Sequence, residues 1–111
     1  MKIAIPTADG RLAMHFGHCA SFRIFETDDD GNIVAEEDHA APPHQPGLLP
    51  RWLGEKNVDL IIAGGMGQRA QALFEQAGVK VLVGAPAEAP AAIVRAYLGE
   101  TLETGDNICA H

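Results

Sequence analysis

The chain is poor in two kinds of residue on which common binding sites depend. Only two of its 111 residues are cysteines, Cys19 and Cys109, so the chain does not by itself supply the four thiolates of an all-cysteine zinc or iron–sulfur site. Basic residues are also few: eight Lys and Arg stand against 15 Asp and Glu, which gives a formal net charge of -7. This balance argues against general nucleic-acid binding and against an anionic membrane surface, because both need a cationic face.

Long apolar runs are missing as well. Nothing approaches the roughly 18 apolar residues of a membrane span, and the apolar start at 1–6 is too short for a signal peptide before the polar segment 7–10. We therefore expect no membrane association and a cytoplasmic protein with reduced thiols rather than a disulfide. With 47% hydrophobic residues the chain can bury a core, and its length predicts a single domain over residues 1–111. We expect a monomer.

Apolar runs, alternation and helical spacing predict a mixed α/β domain. We expect five strands and three helices, the strands at 3–6, 21–27, 33–38, 58–63 and 79–83 and the helices at 48–57, 66–77 and 87–98. Segment 58–83 runs strand, glycine turn, helix, strand, which predicts a right-handed crossover between parallel strands. We expect strand 3–6 in the middle of a mixed sheet, with hairpin 21–38 on one side, the crossover strands on the other and helices on both faces. The stretch 7–20 shows no clean period, which is typical of a functional loop.

This first loop contains the densest chemistry of the chain, the motif His15, Phe16, Gly17, His18 and Cys19. Imidazole nitrogen and thiolate sulfur suit Zn, Cu and Fe, and thiolate also suits molybdenum–sulfur chemistry. We therefore expect at least one of His15, His18 and Cys19 to be a metal ligand. The alternative is structural, with Cys19 buried at the start of a strand and the histidines hydrogen-bonded in a packed loop.

A second group of soft ligands ends the chain, where Cys109 and His111 have the spacing of a short chelating pair. Together with the first loop they offer two thiols and three imidazoles, enough for a soft-metal site. The alternative is a frayed tail, since terminal residues are often poorly ordered. His39 and His44 are further candidates, although each also fits a solvated loop histidine.

A glycine turn follows the strongest predicted strand and leads into a helix. It comprises Gly64, Gly65, Met66 and Gly67, with Arg69 shortly after. Backbone N–H groups and the helix dipole favour an anion at such a turn, and Arg69 adds a positive charge. The turn is neither a Walker A loop nor a full dinucleotide fingerprint. A tight turn that only allows close helix–sheet packing is the alternative, in which Met66 belongs to the core.

Four motifs in order give the chain a family resemblance. They are the first-loop motif 15–19, Pro-Pro-His-Gln-Pro-Gly at 42–47, Ile-Ile-Ala-Gly-Gly-Met-Gly at 61–67 and Asn-Ile-Cys-Ala-His at 107–111. The combination resembles the dinitrogenase iron–molybdenum cofactor-binding family, the group that includes NifX and the C-terminal domain of NifB. The resemblance covers nearly the whole chain and implies a ribonuclease H-like three-layer fold, with a mixed five-stranded sheet and helices on both faces.

The resemblance also implies a function. The chain is similar to stand-alone members of the family such as the molybdenum–copper orange protein. This implies a small carrier or storage protein, not an enzyme, that binds a molybdenum-containing metal–sulfur cluster of Mo-Cu-S or Fe-Mo-S type, held non-covalently. A P-loop ATPase of the MinD/Mrp type is the partner that the resemblance implies. The implied cluster contacts are His15, Phe16, Gly17, His18, Cys19, Gly64, Gly65, Met66, Gly67 and Arg69, and the candidate metal ligands are His15, His18, Cys19, Cys109 and His111.

Two other functions compete with the carrier. The first is a zinc- or copper-binding regulatory module that uses Cys19, Cys109 and nearby histidines. The second is a nuclease, which a ribonuclease H-like fold alone does not support, because that chemistry needs clustered carboxylates on the sheet. The predicted core strands offer at most Glu26 and Asp59 for it.

Overall fold

The chain folds around one mixed sheet. The structure, a computed structural model, describes residues 1–42 and 47–105. Within these residues there are six strands, β1 (Lys2–Ala8), β2 (Arg11–Leu12), β3 (Ser21–Thr27), β4 (Ile33–Ala40), β5 (Leu60–Ile62) and β6 (Lys80–Leu82). The helices are α1 (Leu48–Glu55), α2 (Gln68–Gln76) and α3 (Pro90–Leu98).

The strand order confirms the predicted topology. It runs β4-β3-β1-β5-β6, with β1 antiparallel to β3 and parallel to β5, and β5 parallel to β6. The first strand takes the middle because Ile3, Ala4 and Ile5 are fully buried and need cover on both faces. Since β1, β5 and β6 are parallel, their carboxyl ends share one edge of the sheet.

The sixth strand corrects the expected five-stranded sheet. Residues Arg11–Leu12 pair antiparallel with the end of β1, inside the stretch predicted to lack structure of its own. The chain reverses at Asp9 and Gly10, whose φ angles of 55° and 79° are left-handed. Asp-Gly is the pair that a two-residue hairpin turn favours, and Leu12 is buried at 2% exposure. The Asp-Gly pair is thus a hairpin signal that periodicity does not reveal, because the strand after it has only two residues.

Helices cover both faces, as predicted. Leu53 of α1 and Phe74 of α2 pack into one cluster with Phe22 on one face of the sheet. On the other face Ile93 and Val94 of α3 pack against the remaining strand side chains, Ile3, Ile5, Phe25, Leu60 and Ile62. No helix in the described part of the chain is both long and apolar enough to span a membrane.

Candidate functional site

The first loop and the glycine turn meet at the carboxyl edge of the sheet. The backbone N–H of Phe16 donates to the carbonyl oxygen of Gly65 at 2.9 Å, and the N–H of Gly65 donates to the carbonyl of Met14 at 2.7 Å. His15 and Gly65 thereby form a parallel β-bridge, although 50 positions separate them in the sequence. Two of the predicted motifs therefore form one surface.

Phe16 is the anchor of the first loop. It opens a single 3-10 turn, Phe16–His18, in which the N–H of Cys19 donates to the carbonyl of Phe16 at 3.2 Å. Its half-buried ring lies edge-on to Phe74, with 5.5 Å between centroids, and 6.1 Å from Phe22. Phe16, which was predicted to contact a metal–sulfur cluster, is therefore a structural anchor, because its ring packs against the helical layer.

The other residues of the motif differ in exposure. His15 and Gly17 are exposed, whereas Cys19 is buried at 6% exposure in the core cluster. Burial raises the pKa of the Cys19 thiol from 9.0 to about 11, which keeps it protonated at neutral pH. The burial of Cys19 at the start of β3 is what the structural alternative expects.

The glycine turn is held rigidly between β5 and α2. Gly64, Gly65 and Met66 are buried, and Met66 lies in the core as the alternative interpretation expected. Gly67 has an extended backbone and precedes α2. The side-chain amide of Gln71 donates to the carbonyl of Met66 at 2.8 Å, which fixes the turn against the helix. Sequence reasoning missed Gln71, whose signal was an amide one turn into the predicted helix.

Gly64 allows the two segments to approach. A Cβ atom there would lie 2.9 Å from the carbonyl oxygen of Met14, 3.1 Å from its Cα and 3.2 Å from the carbonyl oxygen of Ala13. All three contacts are tighter than ordinary van der Waals contact and involve backbone, which cannot swing aside. A glycine at this position is therefore part of the site's architecture.

Two of the predicted contacts are exposed side chains. Arg69 is exposed in the first turn of α2, and His15 is exposed on the neighbouring loop. Among the side chains described in residues 1–42 and 47–105, which do not include that of His18, no three His, Cys, Asp or Glu group as they would around a metal ion. His39 faces Trp52 at 6.1 Å between rings, and its Nε2 lies 3.0 Å from Glu37. Three remaining candidates lie outside the described residues, namely His44, Cys109 and His111.

The edge that carries the site is also the place where such sheets bind ligands. The chain passes from β1 to β3 on one side, whereas β5 leads through α2 to β6 on the other. In open α/β sheets, ligands bind outside the carboxyl ends of the strands at such a switch point. Fold and geometry thus define a small three-layer α/β domain whose switch point is the candidate ligand site.

Comparison with known proteins identifies the family. Residues 1–100 match the family described as dinitrogenase iron-molybdenum cofactor, and the chain belongs to that family. It is 34% identical over 86 residues to the uncharacterized protein MJ0580 of Methanocaldococcus jannaschii, an alignment that covers 73% of this chain and 72% of the relative. The resemblance drawn from the motifs is confirmed.

Solved structures share the fold. The crystal structure of PH0822 has a TM-score of 0.86 at 24% identity, covering 95% of this chain and 96% of the other. The apo form of the orange protein from Desulfovibrio gigas has a TM-score of 0.71 at 21% identity, covering 96% and 93%. At these identities the likeness concerns the three-layer architecture, which the resemblance had implied.

Proposed function

We propose that the protein is a carrier that binds a molybdenum-containing metal–sulfur cluster at the carboxyl edge of its sheet and hands it on unchanged. The observation that carries this proposal is the bridge between His15 and Gly65, which joins the first loop to the glycine turn. Membership of the family supports a cofactor-binding role. The shared fold of the orange protein, a stand-alone member of similar size, is consistent with it.

The cluster is cargo, and the residues present fit a non-covalent hold. A thiometallate is an anion whose sulfides accept hydrogen bonds. The first turn of α2 presents backbone N–H groups and the positive end of the helix dipole, Arg69 adds charge, and the exposed His15 offers a ring nitrogen. The absence of a side chain at Gly64 lets the first loop pack directly against the glycine turn, which holds the two motifs together. These features favour capture by hydrogen bonds and charge over direct thiolate bonds from Cys19.

The remaining predicted roles form part of this proposal. His18, Cys109 and His111 are proposed as additional ligands or as cover for the bound cluster. We further propose a cytoplasmic monomer that receives or delivers its cargo through a P-loop ATPase of the MinD/Mrp type. The zinc- or copper-binding alternative needs a metal ion to reach the Cys19 sulfur, and the burial of this residue in the core weighs against it.

Uptake of a thiometallate tests the proposal. Apo protein is mixed with tetrathiomolybdate and copper and dialysed, and retained molybdenum and visible charge-transfer bands are measured. We expect retention in proportion to protein, and a loss of about tenfold in affinity for Arg69→Ala, the order expected for losing one charged hydrogen-bond donor. Arg51→Ala, which removes an exposed arginine from α1, is the matched control. Wild-type protein that retains no molybdenum, or equal losses in both variants, would contradict the proposal.

A further inference from the structure

A cavity of about 430 Å³ lies beside the glycine turn. Met14 and Gly64 line one side, Gly84 and Pro86 after β6 line another, and the C-terminal segment Glu103–Gly105 completes the wall. Its volume is within the usual range of small-molecule sites, roughly 300–1,000 Å³. Apart from Gly64, none of these residues was predicted to contact a ligand.

Backbone hydrogen bonds join the walls of the cavity in a row. The N–H of Gly65 donates to Met14, that of Gly84 to Gly64, and that of Gly105 to Gly84, each to a carbonyl oxygen at 2.7 Å. Four distant segments are thereby linked, from the first loop to the C-terminal segment. The frame of the cavity is main chain, so its shape is less adaptable than one made of side chains.

Glycines allow the backbone segments of this frame to come into contact. Gly84 has a φ of +86°, and a Cβ there would overlap the carbonyl oxygen of Gly105 and lie 2.9 Å from its carbonyl carbon. At Gly64 a Cβ would press on Met14 in the same way. Side chains at these two positions would displace the opposite walls, so the cavity depends on both glycines.

Met14 supplies the distinctive side chain of the cavity. It is 42% exposed, one of three large hydrophobic residues with such exposure in the described ranges, with Met1 and Val34. A thioether is soft and polarizable, and so is a surface of sulfides, whereas the hard oxygens of an oxyanion gain little from it. Glu103 is the one charged residue that the structure describes in the lining and brings a carboxylate, so attraction for an anion must come from outside the lining, from Arg69 on the helix that follows the glycine turn.

We infer that the cavity seats the sulfide-coated face of the cargo and that Met14 selects sulfur-bearing metallates over their oxygen analogues. The inference rests on the proposed function and names its ligand class: a soft thioanion packed on glycine backbone and a thioether. It also gives the C-terminal segment Glu103–Gly105 a role as a wall of the binding site.

Equilibrium dialysis with tetrathiomolybdate and with molybdate tests the inference. Wild-type protein should retain the thioanion at least about tenfold more tightly than the oxyanion. Met14→Glu should weaken thiomolybdate binding by about tenfold or more, since a like charge against a bound anion costs over 1 kcal/mol. Val34→Glu makes the same change on β4, away from the cavity, and should alter binding less than about twofold. Met14→Leu keeps the bulk without the sulfur and should lose affinity and selectivity.

A pair of glycine variants tests the wall. Gly84→Ala and Gly78→Ala strain the same kind of backbone, with φ of +86° and +83°, but only the first meets a neighbour within 4 Å. We expect Gly84→Ala to lose thiomolybdate and Gly78→Ala to retain it, once thermal melts show both folded. If Met14→Glu and Gly84→Ala both bind like the wild type while Arg69→Ala does not, the inference is wrong and the carrier function stands. Wild-type protein that binds no thiomolybdate would overturn both.

Discussion

The close contact between Gly64 and the first loop predicts how a substitution at Gly64 changes stability, and this contact involves backbone atoms alone. In Gly64→Ala the new methyl would lie 2.9 Å from the carbonyl oxygen of Met14 and 3.2 Å from that of Ala13. Both atoms belong to the loop that is hydrogen-bonded to Gly65, so relief requires the loop to move away from the turn. Gly17→Ala is the matched change across the site, because a Cβ there meets nothing within 4 Å.

The two variants should change the stability of the protein in opposite directions. Overpacking against fixed neighbours costs about 1–3 kcal/mol, while the reduced freedom of the unfolded chain returns about 0.4–1 kcal/mol for Gly to Ala. Gly64→Ala should therefore lose about 1–2 kcal/mol. At about 4 °C per kcal/mol for a chain of this length, its Tm should fall by roughly 4–8 °C. Gly17→Ala should keep its Tm or gain up to about 4 °C.

Thermal melts followed by circular dichroism compare the two variants with the wild type under one condition. A Tm of Gly64→Ala equal to or above that of Gly17→Ala would refute the close approach of loop and turn. If Gly17→Ala keeps its stability but loses thiometallate, the open space at Gly17 is part of the binding surface. The same pair thus separates a residue that holds the site from one that faces the cargo.

Three further predictions concern single side chains. In Cys109→Ser, Cys19 is the one remaining thiol. It should react with a thiol reagent at pH 8 at least about 100-fold more slowly in folded than in unfolded protein, because burial raises its pKa from 9.0 to about 11. Equal rates would contradict its burial. Phe16→Ala should cost about 2 kcal/mol in a denaturant titration, since the half-buried ring leaves Phe74 and Phe22, and should weaken thiometallate uptake. The hydrogen bond from the backbone N–H of Asn32 lowers the pKa of the Asp28 carboxyl group below its ordinary value of 3.8. The charged carboxylate therefore stabilises the hairpin above pH 3.8, and this stabilisation is lost as the pH falls through the lower pKa of the folded protein. Asp28→Ala should therefore lower Tm at pH 7, the deficit should shrink as the pH falls below 3.8, and a deficit independent of pH would refute this.

Most of the fold was predictable because its signals are local. The run of apolar residues at β1 and the strand-turn-helix order of β5 and α2 each lie within a short window. Chain connectivity then leaves few topologies, since crossovers are right-handed and sequential strands tend to pair. The short strand β2 was missed because two residues are too few for periodicity, and its signal was the turn pair Asp9-Gly10.

The site was only partly predictable, because burial within it depends on distant partners. Residue types identified the first-loop motif and the glycine turn as its components. They did not reveal that Phe16 packs on Phe74, 58 positions away, or that Cys19 faces the core. The cavity was even harder to predict from the sequence, since its frame consists of hydrogen bonds between main-chain groups that every residue carries. Met14 gave no signal beyond its place before His15.

The net charge of -7 does not by itself oppose an anionic cargo, because the excess is concentrated in the hairpin of β3 and β4. Seven of the 15 acids occur from Glu26 to Asp38, where there is no base, and the rest of the chain is formally neutral. The turn of this hairpin lies beside Met1, so β1 separates it from the site by about 20 Å, well over the Debye length of about 8 Å. Arg23 also pairs with two of the acids, Glu36 and Asp38. The local charge balance at the site therefore depends on Arg69 and Glu103 rather than on the total charge.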